Sequence, residues 1–431
     1  MKKGVLITGI IILIPIVLYL LLSLFTGSFC PPSGWQGPFP PWCEKPSQLG
    51  NFEYRNLDYI ENSNPSPKTN KILMGIGLAD LWGNPHIVID MGEDNRKLVS
   101  STMERLKSIN SDSVLLTDFA IYDSDFNVQK ATSTNAAGAF EITESELKEI
   151  VKKAKENNQN QVFLTVNLYD PGYIYGKWLG QNTKDSAYIK LVQNPSKETL
   201  DKLWQGWEVK ILEEAEKAQV AGVDYLVINP TDTNLEYYFD LSQLNEKYLD
   251  LIPKVREKFK GKIGFFGSLP RLASDKITAT EDVDFTIISF DVNGDYLGKE
   301  IFKNTPENLD QITSSFNSWL SNPNWQNIKS DEIYISILIP SYDGAIQNGW
   351  IEPAKGDNSW TKDWKEQALA YEGLFQAIYS GNYKIDGLFS YGYWWSDNIY
   401  PDSKDIRTDL THTIRQKDAE NVFNRWTSIV S

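Results

Sequence analysis

Short apolar segments alternate with amphipathic segments from residue 70 to the end of the chain, and this alternation constrains the fold more than any other feature. Strand-like segments are followed by stretches with apolar residues at helical spacing, which is typical of repeated β–α units. Eight such units favour a (β/α)8 TIM barrel over a doubly wound sheet. The predicted strands are 72–78, 113–119, 161–168, 224–229, 262–267, 284–290, 332–339 and 387–393. The predicted helices are 98–109, 144–156, 203–220, 248–258, 309–320, 364–379 and 419–429.

Polar and aromatic side chains gather where the predicted strands end. Ligand sites of (β/α)8 barrels lie at the carboxyl-terminal ends of the strands, so these positions predict a binding mouth. Acids there also have an ordinary alternative role, which is to cap loops. For the first seven strands the predicted ligand-binding residues are Trp82, Asp118, Tyr122, Asn167, Tyr169, Asp170, Asn229, Asp291 and Tyr342.

The end of the eighth strand carries the densest aromatic cluster, followed by an acid. Aromatic rings stack on the C–H faces of sugar rings, and a neighbouring carboxylate can bind the hydroxyls. This pattern predicts a carbohydrate groove. The alternative is that the aromatics close the end of the core, since Tyr and Trp are often half-buried for packing alone. The residues concerned are Tyr391, Tyr393, Trp394, Trp395 and Asp397.

Composition narrows the class of partner. The chain has 57 acidic against 42 basic residues, a formal net charge of −15, which argues against nucleic acid. Aromatic content of 13% suits carbohydrate recognition and equally suits a large core. The only histidines, His86 and His412, are far apart and lack the spacing of a zinc site or a Ser-His-Asp triad. No metal and no cofactor is therefore predicted.

The amino terminus predicts a membrane anchor. Lys2 and Lys3 precede an uncharged run from Val5 to Phe25, long enough to span a bilayer as a helix. A cleavable signal peptide usually has a shorter apolar core and a small-residue cleavage site. The lysine pair predicts a single-pass protein of the cell membrane, with its amino terminus inside and the barrel outside. The predicted organisation is an anchor over 1–26, a Pro-rich juxtamembrane loop and linker over 27–69, and a barrel over 70–431.

The two cysteines of the chain lie just beyond this anchor. Cys30 and Cys43 bracket a segment rich in proline and aromatic residues. In an oxidising exterior they are expected to form a disulfide, worth about 3 kcal/mol by loop entropy. In a reducing compartment they would remain two thiols, an alternative that the outward topology disfavours.

Several ordered sequence segments resemble one family of barrel proteins. They comprise 221–229 with 248–263, then 283–289, 342–345, the pair Trp394-Trp395, and 414–422. In order and spacing they are similar to the clan A glycoside hydrolases, most closely to the endo-β-mannanase-like family 113. The resemblance implies a (β/α)8 barrel that binds polysaccharide.

The same resemblance implies two catalytic glutamates, an acid/base at the end of strand four and a nucleophile at the end of strand seven. A retaining mechanism needs them about 5–5.5 Å apart. Aligned on the shared residues, these positions fall on Thr231 and Ser336, which cannot serve as acid or nucleophile of that kind. Asp232 and Asp343 are the nearest acids that could have taken over.

Three hypotheses follow from the sequence. The first is a membrane-anchored, extracellular, glycoside hydrolase-like barrel that binds polysaccharide or surface glycan without the retaining catalytic pair. The second is an active glycoside hydrolase that uses relocated acids such as Asp232 and Asp343. The third is a structural cell-surface protein that uses the barrel for protein contacts. The expected partners are a glycan and, through the amino-terminal helix, the lipid bilayer.

Overall fold

The computed structural model describes residues 71–78, 93–123, 125–131, 141–169, 196–229, 235, 239–291, 301–302, 308–348, 361–395 and 410–430. The predicted anchor, the juxtamembrane loop and both cysteines lie outside these ranges. No helix among the described residues is long and apolar enough to cross a membrane.

Eight parallel strands close into a barrel, as the sequence predicts. The hydrogen-bonded order is β1-β9-β8-β7-β6-β5-β4-β2, and pairing of β1 with β2 closes the ring. The short β3 pairs antiparallel with β2 outside the barrel and was not predicted. The strands are β1 (Leu73–Leu78), β2 (Ser113–Tyr122), β3 (Val128–Lys130), β4 (Gln161–Tyr169), β5 (Tyr225–Val227), β6 (Lys262–Ser268), β7 (Phe285–Asp291), β8 (Glu332–Leu338) and β9 (Gly387–Tyr393).

The seven predicted helices are all present, and most extend a few residues beyond their predicted ends. Between β6 and β7 only short turns of helix connect the strands. The helices are α1 (Glu93–Ser108), α2 (Glu144–Glu156), α3 (Lys197–Ala221), α4 (Leu241–Lys258), α5 (Leu269–Leu272), α6 (Leu309–Leu320), α7 (Ala345–Asn348), α8 (Trp364–Ser380) and α9 (Asp418–Val430).

Alternation along the strands divides the core into two layers. Outward-facing residues such as Ile263 and Ile335 join the large cluster between sheet and helices. Inward-facing residues form an inner plug around Phe163, which stacks on Tyr225 with ring centroids 4.0 Å apart and meets Phe389 edge-on. Because successive side chains point to opposite faces of a strand, membership of the two clusters fixes which residues face the barrel axis.

Acids at the opposite, amino-terminal end of the barrel are used by the sheet itself. Asp224, Asp284 and Asp386 each precede a strand, and each carboxylate accepts a backbone N–H from the neighbouring strand at 2.8–2.9 Å. These bonds satisfy donors that the ladder leaves open at its edge. The acids at this end of the barrel therefore tie neighbouring strands together.

Candidate functional site

The floor of the carboxyl-terminal mouth is formed by one inward-facing residue from each barrel strand. Seven of the eight lie two positions beyond a residue of the inner plug, so alternation places them directly above that plug, and Gly77 pairs in register with one of the seven, Tyr391. We call this set the hydroxyl ring. Its members are Gly77, Thr117, Thr165, Asn229, Ser268, Ser289, Ser336 and Tyr391.

The hydroxyl ring contains hydroxyls, one amide and one aromatic side chain, but no carboxylate. Ser336 is fully buried, pairs in register with Ser289 and Phe389, and its hydroxyl has no hydrogen-bond partner among the described residues. The buried Thr165 hydroxyl across the barrel likewise has no partner within the part of the chain that the structure describes. A buried hydroxyl left unpaired costs about 1–3 kcal/mol, so both groups are suited to bind a ligand hydroxyl or a water molecule.

Tyr391 is the aromatic member of the hydroxyl ring, and its side chain is partly exposed. Its hydroxyl lies 3.1 Å from the Thr117 hydroxyl. A Cβ on Gly77 would come within 2.5 Å of the tyrosine ring, so the glycine makes room for that ring. Of the four aromatics predicted at this strand end, Tyr391 alone combines an inward direction with partial exposure.

The other three aromatics of the predicted groove are buried, which corrects that part of the sequence prediction. Tyr393 and Trp395 belong to the outer core cluster. Trp394 is also buried, and its indole N–H donates to the Thr411 hydroxyl at 3.2 Å. For Tyr393 and Trp395 the alternative of closing the core is the better description.

Asp118 is also placed differently from the prediction. It faces outward from β2, is fully buried, and accepts from the Lys217 ammonium at 2.5 Å and from the backbone N–H groups of Phe119 and Ile142. Its carboxylate is thus occupied in the barrel wall and is not a ligand-binding group of the mouth. Tyr122 has the same direction and packs in the outer core beside Phe126.

The remaining predicted site residues divide into four groups. Asn229 does belong to the hydroxyl ring, where its amide joins β5 to β6 through the backbone N–H and carbonyl of Phe266. Asn167 faces inward one step further up β4, and Tyr342 is buried after β8. Tyr169 is the last residue of β4 and Asp291 the last residue of β7, and the structure describes the backbone but not the side chain of each. Trp82, Asp170, Thr231, Asp232 and Asp397 lie outside the described residues.

Asp343, one of the two candidate acids, lies in a carboxylate cluster. Its side-chain oxygen and those of Asp363 and Glu366 fall within 4.8 Å of one another. Asp363 caps the start of α8 by accepting from two backbone N–H groups, and Glu366 accepts from the backbone of Gly344 and Ile346. These bonds explain the cluster as an anchor for the turn after β8.

Five charged groups form a buried network behind β2. Lys217 contacts Asp118, Glu214 and Glu141, and Lys210 contacts Glu214 and Glu141. At the edge of the network the exposed Lys130 also pairs with Glu141 at 3.6 Å, so three ammonium groups face three carboxylates. Burial and the neighbouring Asp118 carboxylate raise the pKa of Glu214 to about 7. Although burial opposes it, the lysines hold the pKa of Asp118 below its usual range.

This network predicts a decrease in stability with rising pH. Between the ordinary pKa of 4.5 and the folded value of about 7, the unfolded chain releases the Glu214 proton while the folded chain keeps it. The stabilisation is complete below pH 4.5 and is lost as pH rises through about 7. We expect the thermal midpoint of wild type to fall from pH 5 to pH 8, and Glu214→Gln to flatten that slope. Parallel slopes for the two proteins would contradict the assignment of the proton to Glu214.

Several solved structures of glycoside hydrolases have the same fold. The family 113 β-mannanase AaManA from Alicyclobacillus acidocaldarius, in complex with ManMIm, matches with a TM-score of 0.56 at 15% identity, over 84% of this chain and 99% of that chain. Another family 113 β-1,4-mannanase matches with a TM-score of 0.56 at 16% identity, over 83% and 99%. A family 5 mannosidase from Rhizomucor miehei matches with a TM-score of 0.50 at 10% identity, over 84% and 94%.

These matches confirm the (β/α)8 barrel fold that the sequence resemblance implies. No protein-family model matches the sequence, and neither does any curated protein. At 10–16% identity the likeness concerns the fold alone.

Four residues of the mouth were not predicted from the sequence, namely Thr117, Thr165, Ser268 and Ser289. Each lies at an inward position near the end of its strand. The signal that could have found them is the alternation itself. Counting in steps of two from the last large inner residue of each strand leads to a small polar residue on five strands.

Proposed function

We propose that this barrel binds a glycan at its carboxyl-terminal mouth and does not cleave it by the retaining mechanism. The observation that carries the proposal is the hydroxyl ring, whose members offer neutral hydrogen-bonding groups and one aromatic face and no carboxylate. A retaining mechanism requires two carboxylates about 5–5.5 Å apart. Ser336 supports the proposal further, because it is the position that the family resemblance implies for the nucleophile.

We also propose that the barrel is held on the outer side of the cell membrane by the amino-terminal segment. The support is the uncharged run from Val5 to Phe25 behind the Lys2-Lys3 pair. On this proposal Cys30 and Cys43 form a disulfide close to the membrane, and the glycan is a polysaccharide or a surface glycan.

Binding of the purified full chain to β-mannan, β-glucan and cell-surface glycans, measured by affinity electrophoresis and on a glycan array, tests the proposal. We expect retention by at least one of them. Tyr391→Ala should weaken that binding about tenfold, the loss of about 1.4 kcal/mol expected for a contact aromatic. Tyr383 precedes the other end of the same strand and is partly exposed, so Tyr383→Ala is the matched control.

Two outcomes would overturn the proposal. Absence of binding to every glycan would favour a barrel used for protein contacts. Equal binding by wild type and Tyr391→Ala would show that the glycan, although bound, is not bound at the mouth.

A further inference from the structure

A bulge at Gly392 separates the two tyrosines of β9. Gly77 pairs with Tyr391 and Leu78 pairs with Tyr393, so Gly392 is an extra residue without a counterpart on β1. Its φ of +85° is the left-handed conformation that favours glycine. Without the bulge, alternation would direct both tyrosines to the barrel axis. With it, Tyr391 faces the mouth and Tyr393 turns outward to the helices.

Tyr393 is held on the outer side by two charged residues. Its buried hydroxyl donates to Glu420 Oε1 at 2.5 Å and accepts from Arg105 Nε at 2.8 Å. Arg105 also pairs with Glu420, with Nη2 2.6 Å from Oε2. Burial, and next the Glu420 charge, raise the pKa of Tyr393 well above its usual range, so the phenol keeps its proton and remains a donor.

The backbone beyond the bulge is fixed from the same side. Arg415 Nη1 donates to the Trp394 carbonyl at 3.0 Å, and the Thr102 hydroxyl donates to the Trp395 carbonyl at 2.6 Å. The second Glu420 oxygen accepts the backbone N–H of Gln416 at 3.0 Å. Glu420 therefore joins three parts of the chain, namely α1, the end of β9 and the segment before α9.

We propose that Glu420 is a positioning residue of the mouth. By holding Tyr393 on the outer face of the barrel, it fixes the bulge at Gly392 and with it the direction in which Tyr391 enters the mouth. This inference rests on the proposed binding role of Tyr391. It extends that proposal by assigning part of the site to a buried carboxylate of the carboxyl-terminal helix that does not touch the ligand.

The position of Tyr391 can be measured without a ligand. The full chain is labelled with 3-fluorotyrosine in detergent, and the Tyr391 ¹⁹F resonance is assigned by its loss in Tyr391→Phe. We expect Glu420→Gln and Tyr393→Phe to shift or broaden that resonance. The matched control is Glu372→Gln, because Glu372 is another fully buried carboxylate bonded to α9, where it accepts from the Trp426 indole. It should leave the Tyr391 resonance unchanged.

A second measurement separates this inference from the proposed function. Affinity for mannohexaose should fall about tenfold in Glu420→Gln, as in Tyr391→Ala. One outcome supports the positioning role alone. In it, wild type does not bind mannohexaose, but the Tyr391 resonance of Glu420→Gln differs from that of wild type, so Glu420 positions Tyr391 although this glycan is not the ligand. An unchanged Tyr391 resonance in both Glu420→Gln and Tyr393→Phe would overturn the positioning role. Tyr393→Phe removes only the hydroxyl and keeps the buried aromatic ring. If Glu420→Gln does not fold, the Tyr391 resonance in Tyr393→Phe therefore tests the positioning role.

Discussion

Gly392→Ala is expected to lower the free energy of unfolding by about 3 kcal/mol or more. An alanine at positive φ costs about 1–2 kcal/mol by itself. The added Cβ would also lie 1.9 Å from two atoms of the His412 ring, so that ring and the segment that carries it must move. Both costs apply at the bulge that separates Tyr391 from Tyr393, and we therefore expect glycan binding to be lost with the stability.

The control for this prediction is Gly222→Ala. Gly222 ends α3 with a φ of +80°, but a Cβ there would meet no atom within 4 Å. Gly222→Ala should therefore lose only the free energy that alanine costs at positive φ. Thermal or denaturant unfolding of the two variants measures the difference, and equal losses would show that the His412 contact adds nothing.

Lys217→Met is expected to destabilise the protein by about 3–5 kcal/mol, the usual cost of removing one partner from a buried ion pair. The ammonium group is the closest cation to Asp118 and also lies 2.7 Å from Glu214. Methionine keeps the length of the side chain but supplies no charge and no donor. Two buried carboxylates would then lose a shared partner, and the Ile142 carbonyl would lose its lysine donor.

The matched control is Lys258→Met. Lys258, at the end of α4, pairs with Glu216, which lies beside Lys217 on α3. The side chains of Lys258 and Glu216 are both exposed. Exposed pairs contribute about 0–1 kcal/mol. Similar losses of unfolding free energy in the two variants would contradict the view that the buried network behind β2 stabilises the barrel wall.

The barrel could be predicted from the sequence because its signal is local and repeated. Each strand is a short apolar run, each main helix has apolar residues at helical spacing, and a shift of a few residues at a boundary does not change the topology. The predicted strand 387–393 coincides with β9. The short β3 was missed because three residues, Val128–Lys130, carry too little pattern to stand out from a loop.

The site was harder to predict because the direction of a side chain depends on single residues. In β2 both faces are apolar, so the sequence does not reveal that Asp118 faces outward, and its partner Lys217 is 99 positions away. In β9 the alternation predicts one direction for Tyr391 and Tyr393, and only the conformation of Gly392 separates them. The aromatic cluster was therefore recognised as a unit, although one tyrosine alone faces the mouth.

The proposed function requires that the mouth holds a glycan without cutting it by the retaining mechanism. The most direct measurement is release of reducing sugar from β-mannan by the full chain, followed over time alongside binding to the same polymer. We expect binding with no release above that of a heat-denatured sample. Release that persists in wild type and disappears in Asp232→Asn or Asp343→Asn would contradict the claim and establish a hydrolase with relocated acids.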